Sequence, residues 1–110
     1  MFRKKERLNR SDFDHYFKIG ERHHFPEVTI ITSKSENRQV AVVVGKKVSK
    51  SAVRRNILRR RVYSLLRSEL GNSSYQGVII IILKPKFNSL TKSAAAEIVC
   101  ESIAEVVKSA

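Results

Sequence analysis

The sequence predicts an α+β protein with the order αββαβα, a single sheet flanked by helices. Two short segments rich in β-branched residues, VTIIT at 28–32 and QVAVVVG at 39–45, precede a continuous apolar run, GVIIIIL, at 77–83. Helical patterns come before, between and after these segments, and the stretch from 39 to 83 is long enough for a crossover between parallel strands. At 110 residues the chain has the size of one domain, 1–110, able to bury roughly two-thirds of its unfolded surface.

The first helix is expected from about Ser11 to Ile19. Ser11 is its N-cap, Asp12 and Asp14 lie in the first turn, and Gly20 is the stop. KSENR between the next two segments supplies a polar turn, so 28–32 and 39–45 are expected to pair antiparallel. Ser51 then caps a helix running to about Leu70 and closed by GNSS. GVIIIIL reads as a fully buried strand, KPKFNSLTKS as a loop, and a last helix runs from about Ala94 to Lys108.

Charge restricts the function. Twenty-two Lys and Arg against ten Asp and Glu give +12, beyond the magnitude of about 2–8 that solubility asks of a small domain, and imply a polyanionic partner. One cysteine, Cys100, rules out an internal disulfide and fits a reducing compartment. MFRKKERLNR has no apolar stretch behind it, and VIIIIL is far shorter than the roughly 18 residues a membrane span needs. The expected setting is cytoplasmic, with no membrane partner.

The charge is also concentrated. No acidic residue stands between Glu36 and Glu69, an interval holding ten of the 22 basic residues. Within it, SKSAVRRNILRRRVYSLLR at 49–67 carries six arginines and a lysine. At about 100° per residue, Leu58, Val62, Leu65 and Leu66 share one arc of roughly 100°, an ordinary core stripe. Arg54 and Arg61 fall on one flank of it, Arg60 and Arg67 on the other, and Arg55 and Arg59 at its edge. A solvated helix face normally mixes signs, because like charges four apart destabilise by about 0.2–0.5 kcal/mol. Guanidinium forks match phosphate oxygens, and a helix N-terminus adds partial positive charge, so this segment reads as a phosphate-binding surface. Lys46, Lys47 and Lys50 extend it ahead of the helix, and Asn56 adds one group able to read an RNA edge or brace the loop. By contrast, Glu97, Glu101 and Glu105 form an acidic stripe on the last helix that a nucleic acid would avoid.

At these residues the sequence resembles the protein component of bacterial ribonuclease P. GKKVSKSAVRRNILRRR at 45–61 is similar to that family's Lys-Lys-Val-like turn, Ala-Val and Arg-Asn-centred basic helix. RLNRSDFDHYFKIG at 7–20 resembles its first helix, and the buried strand with KPKFNSLT its closing strand and loop. Three positions depart from the pattern. Ile57 and Tyr63 stand where the family usually has arginine, and Ile31 where it often has an aromatic; Arg54 and Arg61 supply charge near the first two.

The resemblance implies a left-handed βαβ crossover of the ribosomal protein S5 domain 2-like kind, an exception to the usual right-handed rule. It further implies an accessory subunit of a ribonucleoprotein endonuclease. Lys46, Lys47, Lys50, Arg54, Arg55, Asn56, Arg59, Arg60 and Arg61 would bind the catalytic RNA, and a cleft beside the first helix, with Phe13 and Phe17, would bind the 5′ leader of precursor tRNA. Aromatics four apart are more often core, yet single-stranded RNA is commonly held by stacking beside positive charge. The RNA would perform the hydrolysis, with Mg²⁺ bound mainly by the RNA.

The chain itself offers poor catalytic material. Asp12 and Asp14 point about 200° apart on a helix, His23 and His24 face opposite sides of an extended segment, and Cys100 sits in an amphipathic helix as a structural thiol. No catalytic residue and no metal site are expected in the protein. A ribosomal or general structured-RNA-binding protein remains the alternative. DNA is not expected, because a groove-reading helix needs three or four side chains that reach bases, and this one offers mostly phosphate-directed arginines.

Overall fold

The structure, a computed structural model, describes residues 6–71 and 75–109. Its elements are α1 (Arg10–Ile19), β1 (Glu21–His24), β2 (Val28–Ser33), β3 (Gln39–Val43), α2 (Ala52–Leu70), β4 (Val78–Leu83), a 3-10 turn (Pro85–Ser89) and α3 (Lys92–Ser109). The α+β class and the single sheet with flanking helices are as expected, but the order is αβββαβα. The additional strand β1 is ERHH, a polar edge segment without apolar alternation, held to β2 from Glu21↔Thr32 to His24↔Thr29.

The sheet runs β1-β2-β4-β3. The expected antiparallel pairing of 28–32 with 39–45 is therefore corrected: β4 lies between them, antiparallel to β2 and parallel to β3. The cause is the composition of β4. VIIIIL is apolar on both faces, and such a strand is most stable in the middle, with a ladder on each edge and cover on each side. All but one of its residues are buried.

The two faces serve different helices. Val28, Ile30, Val40, Val42, Ile79, Ile81 and Leu83 point toward α2 and α3, while Ile31, Ala41, Val78 and Ile80 lie under α1 with Phe13, Tyr16 and Leu8. Helix α2 buries Leu58, Val62, Leu66 and Leu70, each at most 2% exposed and each stabilising by roughly 1.5–3 kcal/mol. Leu65 is only partly buried at the edge of that stripe, and Leu70 completes it one turn beyond the predicted arc.

The ends of the helices depart in detail from expectation. Asn9, not Ser11, caps α1, its Oδ1 accepting from Asp12 N at 2.8 Å, which leaves Ser11 exposed inside the helix. Gly20 ends α1 as expected, donating to Tyr16 O at 2.8 Å. Ser51 caps α2 by accepting from Arg54 N at 3.2 Å, and Arg38 donates to Leu70 O at 2.9 Å, satisfying an orphan carbonyl at the far end. Gly71 follows α2, while the rest of the predicted GNSS stop, residues 72–74, lies outside the described residues. Helix α3 starts two residues early because Thr91 Oγ1 accepts from Ala94 N at 3.1 Å.

The outer edge of β3 is closed by two contacts. Leu8 N donates to Val40 O at 3.0 Å, and Val42 N donates to Tyr63 Oη at 3.2 Å. An edge strand is thus removed from unwanted pairing by the chain ahead of α1 and by α2.

Gly20 sits where α1 turns down onto β2. A Cβ there would overlap Ile31 Cγ2 and come within 2.7 Å of Tyr16 O. Gly20→Ala is therefore expected to cost about 1–3 kcal/mol, read as a lower urea midpoint with unchanged slope. An unchanged midpoint would show that α1 is not pressed against Ile31.

Candidate nucleic-acid interface

The basic surface is built by one turn and one helix. Gly45–Val48 closes a turn in which Val48 N donates to Gly45 O at 3.1 Å. Buried Val48 anchors this turn, leaving Lys46, Lys47 and Lys50 exposed. Arg55 is half-buried and donates through one terminal nitrogen to Ser49 O and Lys50 O, both at 3.0 Å. Part of its role is thus to fix the loop that presents the lysines. Arg54 Nε donates to Asn88 Oδ1 at 3.1 Å, tying α2 to the 3-10 turn.

Farther along α2, Arg59 donates to Asn56 Oδ1 at 3.4 Å, so the Asn56 amide oxygen faces a neighbouring guanidinium. Arg60 and Arg67 are exposed, and Arg61 is half-buried. Among the described residues no carboxylate forms an ion pair with an arginine of α2; the pair that does form is Arg38 with Glu6 at 3.7 Å. The acidic stripe of Glu97, Glu101 and Glu105 is exposed on α3 as predicted. Among the described residues the α2 arginines are therefore not neutralised by ion pairs, and guanidinium groups of this kind carry donors suited to phosphate oxygens.

A cleft of about 360 Å³ opens beside α1 and the edge of β3, its walls including Phe13, Arg10, Asp14, Val43 and Tyr63. Phe13 enters it from a half-buried position over the sheet. Phe17 does not line the cavity. It is 37% exposed one turn along, stacked on Phe13 with ring centroids 5.7 Å apart. The Arg22 guanidinium lies 4.4 Å from the Phe17 ring centroid and donates to Phe17 O at 3.0 Å, giving a cation–aromatic pair beside the cleft. Tyr16 packs under α1. Ile31 is wholly buried, so no platform stands at that position.

Sequence reasoning missed two contributors. Tyr63, noted only as a departure from a pattern, joins α2 to β3 and forms one cleft wall. Arg22 is placed against Phe17 by β1, the strand that the polar sequence 21–24 did not announce.

Other titratable groups have structural partners. His23 and His24 face opposite sides of β1, contacting Thr32 Oγ1 at 3.2 Å and Thr29 Oγ1 at 3.4 Å. Burial first, then the neighbouring Glu69 carboxylate, push the Cys100 thiol up, away from the thiolate a nucleophile requires. Among the described residues, no three His, Cys, Asp or Glu side chains gather where they could ligate a metal ion. No described helix is long and apolar enough to cross a membrane.

An α+β module whose arginine-rich helix has no acid ahead of Glu69, with an aromatic cleft beside another helix, has the charge and shape expected of a polyanion-binding domain. The particular family follows from comparison with known proteins. A family model for ribonuclease P matches residues 2–107. The fold superposes on the RNase P protein from Thermotoga maritima with a TM-score of 0.77, at 25% identity over 96% of this chain and 97% of that one. It also matches the fold of the Staphylococcus aureus RNase P protein, with a TM-score of 0.69 at 20% identity over 94% and 93% of the two chains. A mutant of the S. aureus protein with defective mRNA degradation activity gives 0.73 at 20% identity over 96% and 90%. A search of curated proteins returns no significant match. The chain belongs to the bacterial ribonuclease P protein family, as the protein subunit of that RNA-processing enzyme.

Tyr63→Phe would leave Val42 N–H without its acceptor at the outer edge of β3, and is expected to cost about 1–3 kcal/mol in chemical denaturation. Equal stability would remove the hydroxyl from the edge-closing role. Cys100 is expected to alkylate more slowly than a free model thiol at neutral pH, with iodoacetamide uptake followed by mass spectrometry. Uptake at the free-thiol rate would contradict its burial beside Glu69.

Proposed function

We propose that α2 and the turn before it dock the catalytic RNA of ribonuclease P, and that the α1 cleft receives the 5′ leader of precursor tRNA. In this reading the protein contributes binding and positioning, and the RNA performs hydrolysis. Lys46, Lys47, Lys50, Arg60 and Arg61 meet phosphates directly. Arg54 and Arg55 meet them while also holding Asn88 and the 49–50 loop in place. Arg59, with Asn56 as its neighbour, extends the same surface. Phe13 supplies a stacking face at the cleft, and Phe17 with Arg22 continues that surface toward solvent.

The observation that carries the proposal is the absence, among the described residues, of any carboxylate paired with an α2 arginine. A helix holding such a field against its own repulsion is matched to crowded phosphates. In this reading Mg²⁺ is held mainly by the RNA, which performs the hydrolysis. The setting is the cytoplasm, where precursor tRNA is made.

Reconstitution with a bacterial RNase P RNA and a leader-bearing tRNA precursor tests the reading. At limiting Mg²⁺ the protein should raise cleavage, and the protein alone should cleave nothing; cleavage by the purified polypeptide would overturn it. Arg60→Ala should weaken RNA binding and lower the slope of log affinity against log salt by about 1. An unchanged slope would take Arg60 off the contact surface. Phe13→Ala should weaken the leader-bearing precursor by about 1–3 kcal/mol while leaving mature tRNA unaffected; equal loss for both would remove Phe13 from the leader site.

A further inference from the structure

On the Arg54–Arg61 flank of α2, a separate cavity of about 250 Å³ lies between α2, the 3-10 turn and the start of α3. Its floor is apolar: Leu58 and Phe87 are 2% and 3% exposed, and Leu65 and Leu90 complete it. Its rim is cationic, carrying Arg54, Arg61 and Lys92, with the Ser64 hydroxyl between them. No acidic side chain lines it, and Glu97 and Glu101 are exposed elsewhere on α3. The hydrogen bond from Arg54 Nε to Asn88 leaves the terminal nitrogens of that guanidinium available at the rim.

This combination selects its occupant. An apolar partner would strip water from three charged groups without pairing them, whereas a phosphate alone would leave the apolar floor wet. A flat unsaturated ring carried on a phosphodiester satisfies both. The volume is below the roughly 300–1,000 Å³ of drug-sized sites and suits a single ring system.

We propose that this cavity receives one unstacked nucleobase of the RNA that docks on α2, with the adjoining phosphates on Arg54, Arg61 and Lys92 and the Ser64 hydroxyl at the base edge. The inference rests on the proposed docking of RNA by α2, and deepens it: the helix grips an unpaired nucleotide as well as a backbone. A base taken out of its stack and held against apolar and aromatic groups is a common basis of RNA recognition.

Methyl NMR of the full chain, titrated with adenosine, cytidine, guanosine and uridine monophosphates, ribose 5-phosphate and inorganic phosphate, tests the site without any substitution. The nucleotides should saturably shift the methyl signals of Leu58, Leu65 and Leu90, and the two base-free phosphates should not. Unmoved methyls with every nucleotide, or equal shifts with ribose 5-phosphate, would overturn the proposal.

Ser64→Phe fills the mouth from an exposed position without altering charge. It should abolish the nucleotide shifts and weaken binding to a bacterial RNase P RNA by about ten-fold, with the salt slope unchanged. Wild-type affinity in a folded Ser64→Phe protein would refute base insertion while leaving the docking of RNA on α2 intact. A wild-type protein with no salt-dependent affinity for the RNA would instead overturn the docking itself.

Discussion

The packing of α2 against the sheet is the constraint on which the rest depends. One helix must be both a wall of the core and a surface of like charge, and the two demands differ in size. Four buried side chains, Leu58, Val62, Leu66 and Leu70, each contribute roughly 1.5–3 kcal/mol, whereas a like-charge pair four apart costs about 0.2–0.5 kcal/mol. Among the arginines of α2 only Arg55 and Arg59 have that spacing. Burial exceeds the repulsion with a wide margin, so the helix can carry a field that no ion pair among the described residues relieves.

The sheet sets where that field points. Because β4 is apolar on both faces it takes the centre, β3 is driven to the edge, and the β3–α2–β4 crossover lays α2 over one face only. The other face is partly covered by α1, and the space left at the edge of β3 becomes the aromatic cleft. Tyr63 links the two regions, since it belongs to the basic helix, closes the β3 edge and walls the cleft. Arg54 and Arg55 likewise join structure to surface by holding the 3-10 turn and the lysine loop. The proposed interface is therefore preorganised by hydrogen bonds that engage Arg54 through Nε and Arg55 through Nη1.

Much of this was legible in the residues. Ser51, the stripe from Leu58 to Leu66 and the run of arginines located α2 and its buried face, because periodicity and capping are local signals. VIIIIL announced a buried strand for the same reason. Strand pairing was not legible, since the turn chemistry of KSENR suggested a hairpin, and only the demand of β4 for two partners displaces it. ERHH gave no sign of strand β1, as an exposed polar edge has no alternation to read. The three-dimensional roles of Tyr63, Arg22 and Arg38 rest on contacts between distant segments, which spacing cannot show. Phe13 and Phe17, equivalent in sequence, part in space because only the first reaches over the sheet.

Salt dependence of the free protein's thermal stability addresses the unrelieved field most directly. Between about 0.01 and 0.1 M NaCl the Debye length falls from about 30 to about 10 Å, so repulsion among the exposed cations is progressively screened. The unfolding temperature should rise across that range in the absence of RNA. A fall with added salt would mean that attraction to acids within the protein dominates, and would contradict the account.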